Sequence, residues 1–236
     1  MFKTYSVVCV ATNTLSIIVA VALLIAGSIC IHDTSFLRSS WTEIYSLSIY
    51  SVIISILSII FALCLIYVVI RKLPALTVLF SVLILIVFVL AIINLIVLAV
   101  SFGDLQADSD KTTETLFHNY SNSDLIISSK KLFGEIQQTF HCCGVRVADD
   151  WKNQLPDGKS TPDSCCRIVI AGCGTNSLTR QDTIYVHGCA EPIYFYLRQR
   201  FIALLTIDTI LVILLLASAI LGFISEQHIR EQYQMM

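Results

Sequence analysis

Four apolar runs constrain this chain before any motif does: Val7–Ile31, Tyr45–Ile70, Leu76–Val100 and Phe201–Ile224, none of which holds a Lys or Arg. Each exceeds the roughly 20 residues that carry a helix across the hydrocarbon core. Lipid offers no water to backbone N–H and C=O groups, so a spanning segment must satisfy them internally, as a helix or in a closed barrel. Barrel strands are short and alternating, unlike these runs. The charged fraction is 14%, against about 25% in an average soluble domain. The expected fold is therefore an all-α integral membrane protein with a four-transmembrane-helix bundle. The first run is also longer than the roughly 7–15 apolar residues of a signal-peptide core, so it reads as a retained helix.

Short-segment charge sets the orientation. Lys3 precedes the first run, Arg71 and Lys72 lie between the second and third, and Arg230 follows the fourth. The positive-inside tendency places these segments in the cytoplasm and lets a loop as long as 101–200 escape the count. The expected order is a cytoplasmic tail (1–6), a first span (7–31), a small extracellular loop (32–44) and a second span (45–70). A cytoplasmic turn (71–75), a third span (76–100), a large extracellular loop (101–200), a fourth span (201–224) and a cytoplasmic tail (225–236) complete it. A net charge of −2 points to no nucleic-acid partner.

Six of the nine cysteines lie in the large loop: Cys142, Cys143, Cys165, Cys166, Cys173 and Cys189. An even set on the oxidising side reads as a disulfide framework. Zinc would need ligand pairs a few residues apart, which His141 and His187 do not make; no metal is expected. Vicinal cysteines strain any bridge between them, so each pairs elsewhere, and spacing alone leaves the partners open. A membrane thiol oxidoreductase would want a Cys-X-X-Cys pair with a tuned thiolate, and the loop has none.

Cys142-Cys143-Gly144, then Asp150-Trp151, then Pro162-Asp163-Ser164-Cys165-Cys166, then Gly188-Cys189 occur in that order between the third and fourth spans. In these residues the chain resembles the tetraspanin family, over nearly its whole length. The resemblance implies a Cys142–Cys189 bridge. It also implies that Cys143 reaches Cys165 or Cys166, with the other of the two closing a small loop to Cys173. The chain departs from the family pattern in its second span, which has only Cys64 where a Cys-Cys-Gly cluster is frequent. It carries Asn94 and Asp208 where Glu or Gln is frequent. Proteins resembling claudins, by contrast, carry their cysteines in the first loop, which here has none. The function implied is a non-enzymatic organiser that gathers receptors, adhesion proteins and other tetraspanins laterally among membrane lipids. The implied location is the plasma membrane or endosomal-lysosomal membranes. A small transporter or channel is the rival, served poorly by one intramembrane acid and two asparagines.

Several residues carry individual expectations. Ser48, Ser51, Ser55, Ser58 and Ala62 form a small-residue face on the second span, matched by Asn13, Ser16, Ala20, Gly27 and Cys30 on the first. Such faces let helices approach in lipid. Asn94 and Asp208 lie at equal depth, roughly 10 Å inside the outer boundary by helical rise. With Asn13 they act as interhelical glue, or else line a cavity, for which the resemblance implies a sterol. Trp151 is a plug for a small loop core or an exposed contact. Ile168-Val169-Ile170 is loop core or a partner-contact patch. In the large loop, which is expected to be mainly helical, residues 124–140 carry Leu125, Leu132, Ile136 and Phe140 at helical spacing, with Ser123-Asp124 as a cap; Leu105–Phe117 is a weaker helix candidate, and Glu191–Arg200 reads as continuing into the fourth helix. Asn119-Tyr120-Ser121 is a glycosylation sequon. Cys9 and Cys64 are juxtamembrane palmitoylation candidates. Tyr233-Gln234-Met235-Met236 has the form of a tyrosine-based sorting signal, read at Tyr233 and Met236.

The orientation has a direct test. Tags at either terminus should resist protease added outside intact cells, and enzymatic deglycosylation should shift a protein bearing Asn119 but not its Asn119→Gln variant. Cleavage of a terminal tag would overturn the charge-derived topology.

Overall fold

The computed structural model describes the backbone of residues 2–34, 42–121 and 126–234, and the side chains of 5–32, 45–120 and 130–234. Ser123, Asp124, Leu125 and Met236, which carried expectations above, lie outside the described residues. Five α-helices are described: α1 (Phe2–Thr34), α2 (Thr42–Ile70), α3 (Pro74–His118), α4 (Ile126–Phe140) and α5 (Ala190–Gln234). Among the described residues extended pairing is confined to two isolated antiparallel bridges. Four helices, all but α4, are long and apolar enough to cross a membrane. The fold is an all-α, multi-pass membrane architecture.

The helices run past the apolar spans that mark them in the sequence. Residues 101–118 continue α3 without a break, so the acidic stretch after the third span is part of that helix. Residues 190–200 likewise open α5. Hydrocarbon length sets where apolar sequence ends, not where helical hydrogen bonding ends. The chain divides into two compact units, one of residues 1–35, 43–101 and 201–236 and one of residues 36–42 and 102–200.

The first unit is the helix bundle. Its core is rich in small and medium side chains, among them Ala20, Leu23, Leu65, Ala91, Leu215 and Ala219, while Ile18, Ile53, Ile86 and Ile213 face outward. Lipid tails are as apolar as Leu, so burying Leu brings no hydrophobic gain, and close approach of small residues must hold the helices. Ser51, Ser55 and Ser58 donate to the carbonyls of Leu47, Ser51 and Ile54 at 3.1, 2.7 and 2.7 Å. Each of these three protons is thereby satisfied within α2, leaving a thin face that a neighbour can approach closely. α1 meets this face at Gly27, where an added Cβ would lie 2.9 Å from Val52, and at Cys30, whose sulfur accepts from Ser48 Oγ at 3.2 Å. Gly222 of α5 has no room for a Cβ beside Ser81 of α3.

The small stripe of α1 divides between neighbours. Gly27 and Cys30 meet α2, but Ser16 Oγ lies 3.3 Å from Ser218 Oγ of α5. Asn13 turns back on its own helix, its amide donating to Cys9 O at 2.8 Å. Asn94 Nδ2 donates to Asp208 Oδ2 at 3.0 Å and to Ser51 Oγ at 3.2 Å. One amide therefore joins α3, α5 and α2. Ser51, read in the sequence only as a small residue, is the third member of this set.

A double-mutant cycle tests the pair. Asp208→Asn should fold nearly normally, since an amide still accepts from an amide. Asp208→Leu should cost about 1 kcal/mol, the scale of an interhelical hydrogen bond. Adding Asn94→Leu should recover part of that loss, because no polar group is then stranded. Additive effects in a detergent melting series would show that the two residues are not coupled.

Candidate functional site

The second unit is built where two glycine-bearing segments cross. Cys143 N–H donates to His187 O at 2.8 Å, Gly188 N–H to Arg146 O at 3.0 Å, and Cys189 N–H to Gly144 O at 3.1 Å. A Cβ on Gly188 would overlap the backbone of Val145 and Arg146. Gly144 has φ +76, and its Cβ would strike Val147 O. Only glycine fits both positions, one for space and one for space and conformation. The Cys142–Cys189 disulfide locks this crossing. It closes a loop of 47 residues, which in the chain-entropy account stabilises by about 4 kcal/mol.

Asp150 and Trp151 complete the crossing from inside. Asp150 Oδ2 accepts three successive backbone N–H groups, from Val145, Arg146 and Val147 at 2.9, 2.8 and 3.2 Å. This is an anion nest with the carboxylate supplied by the chain itself. Trp151 is fully buried, with ring centroids 4.7 Å from Phe117, 4.8 Å from Tyr120 and 6.0 Å from Phe133, all edge-to-face. Trp151 is the plug of this core. Burial pushes the Tyr120 phenol pKa up, and the Asp163 charge adds to that. From α4, Leu132, Phe133, Ile136 and Gln137 are buried while Phe140 is half-buried. Phe133 and Gln137 extend the inward face beyond the spacing that marked it in the sequence.

The Pro162–Cys166 segment seats on α4. Ser164 Oγ donates to Gln137 Oε1 at 2.6 Å, and the Gln138 amide donates to the carbonyls of Ser164 and Cys166. Asp163 accepts the N–H groups of Gly172 and Gly174, each at 2.9 Å. It thus folds the chain back so that Cys166 bonds Cys173, while Cys143 bonds Cys165. That geometry decides between the two pairings left open by the sequence. Asp163, Cys166 and Cys173 also stand close enough to suggest a metal cluster. Both sulfurs are spent in one disulfide and the carboxylate on backbone N–H groups, so the donor set does not fit a metal.

Ile168, Val169 and Ile170 project from the Cys166–Cys173 loop, with 74%, 56% and 64% of their surfaces exposed. They are a patch, not core. Asn119 stands half-buried in a single 3-10 turn, Asn119–Ser121, just after α3. Cys9, Cys30 and Cys64 lie outside the disulfides; Cys9 is buried in the bundle and Cys64 only partly. Acyl transfer needs an accessible sulfur, so Cys64 is the better placed of the two candidates. Tyr233 is helical and exposed, and its hydroxyl donates to Lys72 O at 3.1 Å. The ring of Tyr5 stacks on His228 at 4.8 Å. The Asp150 nest, the Asp163 turn and the Tyr233 contact had no sequence signal beyond residue type, because each joins groups whose approach the fold decides.

Four membrane-length helices with a disulfide-clasped loop before the last define a class of four-span membrane proteins with a stapled large loop. The family model described as Tetraspanin family matches residues 5–234, and the chain belongs to the tetraspanin family. It is 33% identical to CD151 antigen of Mus musculus over 103 residues, covering 41% of this chain and 40% of that protein. It is 28% identical to CD63 antigen of Mus musculus over 140 residues, covering 56% of this chain and 52% of that protein. The chain thus spans about half the length, or less, of these relatives.

Removing the nest carboxylate tests the build. Asp150→Ala leaves three N–H groups without their charged acceptor and should destabilise the loop by about 2 kcal/mol. In the unreduced wild type all six loop cysteines should resist alkylation. Unchanged melting in Asp150→Ala, or alkylation of any loop cysteine, would overturn this account.

Proposed function

We propose that the protein is a non-enzymatic organiser that gathers membrane proteins laterally, with its large loop as the recognition surface. The observation that carries this reading is the exposed Ile168-Val169-Ile170 patch on a rigid, stapled loop. Burying one Val or Ile side chain is worth about 1.5–3 kcal/mol. Seating three that are already largely exposed therefore supplies a useful anchor before the costs of association. Receptors, adhesion proteins and other tetraspanins are the partner classes proposed. Both termini are proposed to face the cytoplasm, with the large loop outside or in the lumen, Asn119 glycosylated and Cys64 acylated. The plasma membrane and endosomal-lysosomal membranes are the proposed locations. Enzymatic thiol chemistry is disfavoured because all six loop sulfurs are bonded.

A bound sterol is a second element of the proposal. Asp208 Oδ1 and Asn94 Oδ1 are buried with no hydrogen-bond partner among the described residues. Each is an acceptor that a sterol hydroxyl would satisfy. A sterol photo-crosslinker should label the wild type and lose that labelling in Asp208→Leu with Asn94→Leu; no labelling of the wild type would remove the sterol from the reading, and labelling that survives the double change would remove these two acceptors as its anchor.

The patch itself is tested in cells. Ile168→Asp together with Ile170→Asp should lower proximity labelling of membrane neighbours by roughly tenfold, the equivalent of 1.4 kcal/mol, while the three disulfides persist. An unchanged set of neighbours would sink the proposed role of the patch.

A further inference from the structure

The end of α5 past the fourth span is held at two points. Residues 225–234 continue the helix there, a length of about 15 Å at the α-helical rise. Ser225, Glu226 and Ile229 are buried and share one face by helical spacing. The ring of His228 stacks on Tyr5 of α1 at 4.8 Å between centroids. One turn beyond Ile229, the Tyr233 hydroxyl donates to Lys72 O at 3.1 Å. Lys72 follows α2 in the left-handed region, φ +56, with its N–H bonded to Val69 O at 3.2 Å and the Leu73 N–H to Val68 O at 3.1 Å. The turn that reverses the chain between α2 and α3 thus presents the carbonyl that receives the tail.

Tyr233 is unlike the other described tyrosines at this end. Tyr67 belongs to the second span and lies under Arg71, whose guanidinium carbon is 5.6 Å from its ring centroid. Tyr5 is stacked, and α1 continues on both sides of it. Tyr233 is 58% exposed and stands in the last turn of α5, which ends at Gln234. The carbonyls of a last turn have no intrahelical donor. Lifting Tyr233 out of the helix therefore breaks only the helical bonds of its own N–H and of the Gln234 N–H, together with the bond to Lys72. A tyrosine kinase takes its substrate as extended chain, and among these tyrosines the backbone of Tyr233 costs least to extend.

We propose that Tyr233 is a phosphorylation site and that its hydroxyl is a latch which the phosphate opens. The inference rests on the proposed cytoplasmic position of this end, where ATP and tyrosine kinases act. The phenolic oxygen attacks the γ-phosphorus of ATP. The bond from that phosphorus to the β,γ-bridging oxygen breaks, ADP leaves, and the phenolic proton passes to the kinase's catalytic base. The product has no hydroxyl proton to give Lys72 O, and it brings a charge of about −1.5 to −2. That charge lies at the carboxyl end of α5, where the helix dipole disfavours an anion. Arg230, one turn earlier, is already paired with Glu226 at 2.7 Å, and Arg71 lies over the Tyr67 ring. The phosphate loses the latch and gains neither arginine, so the last turn of α5 unwinds. The tail thus has a closed form, tied to the α2–α3 turn, and a form opened by a kinase.

The test uses the full-length protein in lipid nanodiscs, where both faces meet added enzyme. A non-receptor tyrosine kinase with ATP should place phosphate on Tyr233 several-fold faster than on Tyr5 or Tyr67. Tyr233→Phe keeps the ring and removes the donor. It should speed hydrogen exchange at the backbone N–H groups of 230–234 several-fold, and phosphorylation of the wild type should do the same. Labelling of Tyr5 as fast as Tyr233, or no phosphate on Tyr233, would overturn the modification site. Unchanged exchange in Tyr233→Phe would overturn the latch, as would slower exchange after phosphorylation, the sign of capture by Lys72. In cells treated with a phosphatase inhibitor the protein should carry phosphate on Tyr233. Its absence there, with a carboxyl-terminal tag that resists external protease, would also overturn the modification. Its absence with that tag cleaved from outside would instead fault the orientation on which the inference rests.

Discussion

The crossing of residues 143–146 over 187–190 is the constraint on which the second unit depends. Two backbones approach there closely enough that Gly188 cannot carry a Cβ, while Gly144 makes the tight positive-φ turn that brings Val147 O against it. The hydrogen bonds Gly188 N–H to Arg146 O and Cys189 N–H to Gly144 O hold them in register. The Cys142–Cys189 bond then makes the approach irreversible under oxidising conditions. Everything else in the unit is hung on that point. Asp150 caps its free N–H groups, Trp151 fills the space beneath, and the Pro162–Cys166 segment is tied to it through Cys143–Cys165. A loop of this size has too little apolar surface to fold on burial alone, so covalent closure and glycine backbone take the place of a large core.

The bundle solves a different problem. Its surroundings are as apolar as its interior, so the hydrophobic effect does not distinguish inside from outside. Helices are held by how near they can come and by a few polar bonds. Gly27 against Val52, Gly222 against Ser81 and Ser16 against Ser218 do the first. The Asn94 amide, shared by Asp208 and Ser51, does the second. Large aliphatic residues stand both inside, as Leu23 and Leu65 do, and outside, as Ile18 and Ile213 do, so burial of apolar surface does not mark the interior as it would in a soluble helical protein.

Both units leave specific groups unused, and these point to function. The loop exposes Ile168, Val169 and Ile170. The bundle retains acceptor oxygens on Asp208 and Asn94. A stapled loop presents an apolar patch at little entropic cost, because its backbone is already fixed before a partner arrives. That is the physical basis for reading this tetraspanin as a chain that gathers others.

The sequence by itself determined the four spans, because hydrocarbon thickness and the satisfaction of backbone groups are read directly from apolar length. It also determined the tetraspanin resemblance, because cysteine and glycine spacing records where segments must meet. It marked Glu191–Arg200 as running into the fourth helix, as α5 does, but it left Leu105–Phe117 a weaker, separate helix where α3 in fact continues unbroken through residues 101–118. Nor did it choose between Cys165 and Cys166, which differ by one position. That choice fell to Asp163, whose bonds to Gly172 and Gly174 bring Cys173 to Cys166. The fate of Trp151 and of Ile168–Ile170, core or surface, was equally a tertiary matter. Both are apolar, and only the aromatic cage of Phe117, Tyr120 and Phe133 around the one, and the exposed Cys166–Cys173 loop that carries the other, separates them.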